Sequence, residues 1–264
     1  MSNYSEFITN KSIALVGPAD YLSLIKEENL KKINSCDVVV RINCGFNLIK
    51  DHPGILGTRT DFLYNTLLDD CINGGVIDVQ EISKSGIKHI RTVPKSDLKG
   101  IATGNEPNIN KDETYAKIQW LQQHCNIETS MVDYKFFNDI SRKVDCRPTT
   151  GVVAIYDILN FNPKSLYVCG FSFYLGGVMK GYWGGDKPGG ILETRNRTEE
   201  EEAERAFNST RHVHRNIWKH AKDTLLSNNK VELDEVMMNI LMLESYNREN
   251  YKKILETYTN ETSS

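Results

Sequence analysis

The sequence lacks several features that would place it quickly in a class of proteins. No segment approaches the roughly 20 consecutive apolar residues needed to cross a bilayer, and the polar segment 1–11 does not resemble a signal peptide. The six cysteines are scattered, without a CxxC pair, so a disulfide framework is not expected. These absences predict a protein of the reducing cytoplasm.

Common phosphate-binding and metal-binding motifs are also missing. The chain contains neither GxGxxG nor a P-loop, which disfavours nicotinamide dinucleotides and ATP-type phosphate cradles. It contains no Asp-x-Asp that could hold a divalent cation on a diphosphate. The formal net charge of −3 does not demand a polyanionic partner. We therefore expect chemistry without a metal ion or a resident cofactor.

Short apolar runs alternate with segments of helical spacing. The runs rich in Val, Ile and Leu predict strands at 12–17, 37–43, 60–64, 86–93 and 165–170. Helical periodicity occupies 21–33, 112–124, 151–159 and 212–226. This order predicts one α/β domain spanning 1–264, with a doubly wound, mostly parallel, Rossmann-like sheet.

Two later segments differ from this pattern. Residues 176–210 begin glycine-rich and become acidic, which predicts a mobile lid loop or, as an alternative, a surface insertion without a role. Residues 231–258 predict one or two C-terminal amphipathic helices.

Polar residues follow several predicted strands, where ligands bind in doubly wound sheets. Gly17 ends the first strand and permits close backbone approach, although a turn needs nothing more. Asn43 and Asn65 offer amides that suit a ribose or a pyrimidine edge, or that merely cap loops. Arg41 pairs either with phosphate or with an acidic neighbour. The Thr-Thr-Gly turn at 149–151 opens a helix whose free N–H groups can hold an anion.

The series of motifs resembles the sialyltransferases. Residues 13–65 are similar to the large motif of that family, and its three elements are Val16-Gly17-Pro18, Val39-Val40-Arg41-Ile42-Asn43 and Gly57-Thr58-Arg59-Thr60. Residues 148–171 resemble the small motif, and 166–174 resemble a strand of bacterial lipo-oligosaccharide sialyltransferases. The similarity covers about two thirds of the chain, in the family's order.

The resemblance implies a sialyltransferase-type GT-A variant fold and a reaction. A nucleotide-linked sugar, CMP-sialic acid or a similar donor, would be transferred to an acceptor hydroxyl with inversion at the anomeric carbon. The phenol of Tyr174 would hydrogen-bond the departing phosphate, with Tyr182 as a second such donor. The donor-binding residues that the resemblance and the strand ends together indicate are Gly17, Pro18, Arg41, Asn43, Asn65, Thr149, Thr150, Gly151, Phe171 and Tyr182.

A histidine suits the role of general base because its ordinary pKa lies near working pH. His212 and His214 follow the predicted lid, where the family places this residue, and the spacing from His214 to Trp218 favours His214. Such a His-x-His pair also occurs in metal sites, but the sequence offers no third ligand cluster.

Departures from the family's pattern leave the donor open. Pro18 stands where the large motif has asparagine, and Lys219 stands where a glutamate follows the base. The cysteine pair of Golgi members is absent. An alternative donor is another activated sugar, such as a UDP- or CMP-linked pentose or keto-sugar. The acceptor is a glycan or, as an alternative, a modified nucleic-acid base. A nucleotide-binding module without catalysis is the remaining alternative.

Overall fold

A seven-stranded parallel sheet organises the chain. The computed structural model describes residues 4–67, 82, 84–94, 111–125, 127–183, 192 and 196–261, without the side chains of 111–115 and 117. The strands are β1 (Ser12–Val16), β2 (Val38–Ile42), β3 (Phe62–Asn65), β4 (His89–Thr92), β5 (Glu128–Met131), β6 (Ser165–Cys169) and β7 (Val231–Leu233). They lie in the order β5-β4-β3-β2-β1-β6-β7, and every neighbouring pair is parallel.

Helical segments follow β1, β2, β4, β5 and β6 in the described ranges, as the crossovers of parallel strands require. The α-helices of the described ranges are α1 (Tyr4–Ile8), α2 (Lys26–Ser35), α3 (Pro53–Leu56), α4 (Lys111–Cys125), α5 (Tyr134–Val144), α6 (Thr150–Asn160), α7 (Glu199–Phe207), α8 (His214–Leu226), α9 (Glu235–Met242) and α10 (Arg248–Glu261). None of them is long and apolar enough to cross a membrane.

The helices cover both faces of the sheet. On one face, the phenol of Tyr167 in β6 donates to the Asn29 amide oxygen of α2. On the other, the Tyr64 hydroxyl of β3 donates to Asp157 Oδ2 of α6 at 2.7 Å. Side chains alternate along a strand, so neighbouring β2 residues face α2 and α6 in turn. The doubly wound α/β prediction is confirmed.

The central strands are buried on both faces, which explains their continuous apolar runs. All five residues of β2 are buried, whereas β7 at one edge of the sheet is only partly buried. At the other edge, β5 reads Glu-Thr-Ser-Met and is also partly exposed. These two edge strands lack apolar runs, and the sequence analysis did not find them.

Two sequence predictions need correction at their boundaries. The C-terminal segment 231–258 does not begin as a helix, because Val231–Leu233 pairs with β6 as β7 and the helices follow from Glu235. The predicted lid, 176–210, is not loop throughout, since Glu199–Phe207 is helix α7 with a capping box at Thr198. Most of 184–195 lies outside the described residues, and the mobility of the lid stays a prediction.

Candidate active site

A cleft of about 290 Å³ lies where the strand order reverses. The chain progresses from β1 to β5 in one direction across the sheet, and β6 and β7 lie on the other side of β1. Ligands bind outside the carboxyl ends of parallel strands at such a reversal. The ends of β1, β2 and β6, the start of α6 and the segment leading into α8 line this cleft.

Two glycines let β1 and β6 approach each other beneath the cleft. A Cβ on Gly17 would lie 2.2 Å from the Gly170 carbonyl oxygen, and a Cβ on Gly170 would lie 2.6 Å from the Gly17 oxygen. Gly170 also has a φ of +76°, which favours glycine. The close approach required at Gly17 is therefore to another strand end and not to a ligand, which corrects the role that the sequence suggested.

The first turn of α6 opens into the cleft. Thr149 is the N-cap residue, and its hydroxyl makes no capping hydrogen bond within the described chain. The first backbone N–H groups of a helix have no intrahelical partner and carry its positive dipole end. Glycine at position 151 lets this turn approach the ring of Phe171, because a Cβ there would lie 2.4 Å from Phe171 Cε1. The turn has the chemistry of an anion site.

Asn43 presents an amide without a protein partner. Its φ of +48° turns the backbone out of β2, in a region that asparagine tolerates. The side chain lines the cleft, only 4% of the residue is exposed, and Oδ1 is buried without a hydrogen-bond partner in the part of the chain that is described. Buried polar atoms are normally paired, so this oxygen is a candidate acceptor for a ligand.

Both candidate histidines line the cleft, and each has one ring nitrogen held by a backbone carbonyl. His214 Nε2 lies 2.9 Å from the Ala206 oxygen, and His212 Nδ1 lies 2.7 Å from the Arg147 oxygen. A carbonyl accepts only, so those nitrogens carry the proton and the other nitrogen of each ring is the basic one. In His212 that free nitrogen is Nε2, the one farther from the backbone.

Burial keeps both rings neutral. It lowers the pKa of His214 to about 4 and the pKa of His212 to about 3, and the guanidinium of Arg147 acts in the same direction on His212. A neutral imidazole is the form that accepts a proton from an attacking hydroxyl, but a pKa this far below working pH makes each ring a weaker base than the sequence analysis expected.

Tyr174 packs against His214 on a strained segment. The two ring centroids are 4.3 Å apart, and both Phe173 and Tyr174 have positive φ, 52° and 62°. The Tyr21 hydroxyl accepts from Phe171 N and donates to Asp234 Oδ2, which anchors the start of this segment. Burial raises the pKa of Tyr174 to about 12, so its phenol is a hydrogen-bond donor at neutral pH. Strain of this kind is concentrated at functional sites.

Three arginines that the sequence analysis missed line the cleft: Arg147, Arg205 and Arg211. Among the described lining residues there is no aspartate or glutamate, so the acidic side chains of this slightly acidic chain are absent from the described lining and the arginines are its charged groups. In the sequence, Arg147 directly precedes the Pro-Thr-Thr turn and Arg211 directly precedes His212. Their proximity to predicted site residues could have indicated both arginines. Arg205 gave no such indication, because it follows a run of glutamates.

The structure brings most of the sequence-predicted site residues together. Those that line the cleft are Pro18, Asn43, Thr149, Thr150, Gly151, Phe171, Tyr174, Tyr182, His212 and His214. Gly17, Arg41 and Asn65 are not among the lining residues.

Arg41 has a structural role in this fold. It lies on the opposite face of β2 from Ile42, which lines the cleft. Its guanidinium donates to Thr60 Oγ1 at 3.0 Å and to the backbone oxygens of Leu56 and Arg59, the latter at 3.2 Å. Burial lowers the pKa of Arg41 to about 10, which leaves it charged at neutral pH. We therefore withdraw Arg41 as a donor-binding residue.

Asn65 closes a turn. Its Oδ1 accepts from Leu67 N at 2.7 Å, the local arrangement that asparagine makes after a strand. The capping alternative therefore accounts for Asn65, whereas Asn43 has no such partner.

The described residues contain no group of three or more His, Cys, Asp or Glu that could hold a metal ion. His212 and His214 lie near each other, with ring centroids 6.1 Å apart, but no third ligand of those residue types joins them in the described ranges.

No protein-family model matches the chain, and no curated protein matches it. Among solved structures, it is similar to a mammalian sialyltransferase crystallised with Gal-beta-1-3GalNAc-ortho-nitrophenol. That similarity covers 87% of this chain and 71% of the other, at 14% sequence identity and a TM-score of 0.40. These values are too low to assign the chain to a family.

Proposed function

We propose that this chain is an inverting glycosyltransferase of the sialyltransferase type. It takes an acidic nucleotide sugar, of which CMP-sialic acid is the type compound, and transfers the sugar to an acceptor hydroxyl. The observation that carries the proposal is the composition of the cleft at the strand reversal. Three arginines, an unpartnered amide, a helix start and two neutral histidines face it, without a carboxylate among its described lining residues.

Each of these groups fits one requirement of the reaction. Arginine and helix N–H groups bind phosphate or carboxylate oxygens. The amide of Asn43 suits the edge of a pyrimidine or a ribose hydroxyl. Each neutral histidine has an unprotonated ring nitrogen that can accept the proton of the acceptor hydroxyl. A binding module needs the first two features only, and the histidines therefore favour an enzyme.

The proposed step moves one proton and one glycosyl group. The free ring nitrogen of a histidine takes the proton of the acceptor hydroxyl as that oxygen bonds to the anomeric carbon from one face. The bond from the anomeric carbon to the phosphate oxygen breaks on the other face, and the electron pair leaves with the phosphate. Tyr174, the helix N–H groups and the arginines stabilise the charge that develops there.

The donor is tested by thermal unfolding of the purified chain with CMP-sialic acid, CMP, UDP-sugars and UDP. A ligand that binds the folded state raises the midpoint by mass action, and we expect the CMP compounds to give the largest shift. Transfer is then followed by appearance of free CMP with simple glycosides as acceptors. Turnover unchanged in EDTA is expected of metal-independent chemistry, whereas loss in EDTA and recovery with Mg²⁺ would contradict it.

The base is tested with His214→Gln, His212→Gln and the control His220→Gln. His220 bonds Tyr156 on α6 and Thr224 and does not line the cleft, so its replacement should leave turnover near wild type. We expect the base variant to lose about 10²–10⁴-fold in kcat while it still binds CMP. The sequence favours His214, and His212, whose Nδ1 is the nitrogen held by a carbonyl, is its alternative. Full turnover in both variants would remove histidine from the mechanism.

A further inference from the structure

Arg205 is clamped in place by a buried carboxylate. Its Nε lies 2.9 Å from each carboxylate oxygen of Glu202, and its Nη2 contacts Oε1 as well. Glu202 is 1% exposed, whereas the Arg205 side chain retains 37% exposure. A guanidinium has five N–H donors, and this clamp leaves both protons of Nη1 for another acceptor.

Glu202 also binds a second guanidinium. Arg197 Nη1 also contacts Glu202, at 3.0 Å from Oε2, so two guanidiniums share one buried carboxylate. Arg205 lines the cleft and Arg197 does not. Of the two guanidiniums, that of Arg205 is therefore the one placed to meet a ligand in the cleft.

Arg205 lies beside the groups that the reaction would use. Its charge acts on the pKa of Tyr174, lowering it against the larger effect of burial. The next residue, Ala206, supplies the carbonyl oxygen that holds His214 Nε2. An anion on Nη1 of Arg205 would thus lie in the same part of the cleft as the phenol and the imidazole.

We propose that Arg205, oriented by Glu202, binds an anionic oxygen group of the donor and sets the enzyme's preference for charged donors. The inference rests on the proposed function and extends it to a residue of helix α7 that no sequence motif indicates. The anionic group is either the nucleotide phosphate or a carboxylate of the sugar, and each offers a pair of oxygens that a guanidinium can bind in a bidentate manner.

The experiment compares the wild-type chain with Arg205→Met and the matched control Arg197→Met. Both variants remove one guanidinium from the same carboxylate, and only the first removes it from the cleft. Calorimetry with CMP-sialic acid, CMP and cytidine measures affinity. We expect Arg205→Met to weaken CMP-sialic acid binding by about 10- to 100-fold, Arg197→Met to stay within about threefold, and cytidine to bind all three proteins alike.

The probes separate the two sources of charge. Equal losses for CMP and CMP-sialic acid identify the phosphate, and a loss for CMP-sialic acid alone identifies the carboxylate; either supports the proposal. Unchanged binding in Arg205→Met, or equal losses in both variants, overturns it. Arg205→Lys, which keeps the charge, should recover part of the affinity and serves if Arg205→Met fails to fold.

Failure of the proposed function is distinguishable from failure of this inference. If the wild-type chain binds no nucleotide, the proposed function falls. Titration with inorganic phosphate, followed by thermal unfolding, then decides the anion site alone. Stabilisation of the wild type and Arg197→Met but not of Arg205→Met supports Arg205 as an anion-binding residue, and the same response in all three proteins overturns it.

Discussion

At the scale of single residues, the same amino acid has opposite roles at equivalent places in the sheet. Asn43 follows β2 and Asn65 ends β3, yet the amide oxygen of Asn65 is used by its own turn and that of Asn43 has no hydrogen-bond partner among the described residues. A polar atom that is buried and unpaired lowers stability unless a ligand completes it. The two asparagines therefore differ in what their replacement should cost the folded protein.

The two asparagines make a matched pair of variants. Asn43→Ala should weaken CMP binding by about 5- to 20-fold and change the free energy of unfolding by less than about 1 kcal/mol. Asn65→Ala should lower the free energy of unfolding by about 1 kcal/mol and leave CMP affinity unchanged, because it removes a turn hydrogen bond. Calorimetry and urea unfolding measure both quantities, and the reverse pattern would refute the assignment of Asn43 to the nucleotide.

Arg41 gives a second prediction at this scale. Arg41→Met should lower the free energy of unfolding by about 2–4 kcal/mol, because the backbone oxygens of Leu56 and Arg59 lose a buried donor. Arg59→Met removes an exposed guanidinium and should cost less than about 1 kcal/mol. CMP affinity should survive in the folded fraction of both proteins. A selective loss of CMP affinity in Arg41→Met would show that Arg41 binds the donor after all.

At the scale of elements, the cleft is built from helix starts and from the segments beside them. The start of the predicted lid is tied to the loop after β1, because Met179 N donates to the Pro18 oxygen at 2.7 Å and Ala19 bridges to Val178. Its later part is helix α7, which carries Arg205. The described ends of the predicted lid, Val178 and Arg205, thus both line the cleft.

The position of α6 depends on the close approach of Gly151 to Phe171. Gly151→Ala places a Cβ against the ring of Phe171 and should lower the free energy of unfolding by about 1–3 kcal/mol. The displaced first turn should also weaken CMP binding. Gly54→Ala is the control, since a Cβ there meets no atom within 4 Å. A Gly151→Ala protein with wild-type stability and affinity would show that this turn does not need the close approach.

At the scale of the whole molecule, buried titratable groups couple folding to pH. Burial lowers the pKa of His89 and of His214 to about 4 and the pKa of His212 to about 3, from an ordinary value near 6.5. Burial acts in the opposite direction on the carboxyl of Asp234, whose pKa rises to about 6.

The sign of the pH dependence follows. Below pH 6.5 the unfolded chain binds protons at these three histidines that the folded chain does not, so stability falls as pH drops toward their folded pKa values. The carboxyl of Asp234 has a higher pKa in the folded state than in the unfolded chain, so its protonation between pH 6 and 4 stabilises the folded state. This single group opposes the destabilising effect of the three histidines. We therefore expect the urea midpoint to decrease from pH 7 to pH 4.5, with a smaller decrease in His212→Gln. A midpoint that rises over this range would contradict the assignment of neutral, buried rings.

Much of the fold could be read from the sequence because burial on both faces forces continuous apolar runs. That constraint revealed β1, β2, β3, β4 and β6. It does not act on β5 and β7, whose positions at the edges of the sheet permit polar residues, so those strands became visible only through their pairing.

The sequence identifies the strand ends, the Thr-Thr-Gly turn and the two histidines as candidate site residues, because each is a local pattern of residue type and position. The tertiary structure alone decided which of them meet. Arg41 lies on the face of β2 opposite to Ile42 and does not line the cleft. Asn43 has a positive φ and does line it. Arg205 lies in an acidic segment of the sequence, and the packing of helix α7 places it at the cleft. Convergence of distant segments depends on packing geometry, and local sequence patterns do not encode it.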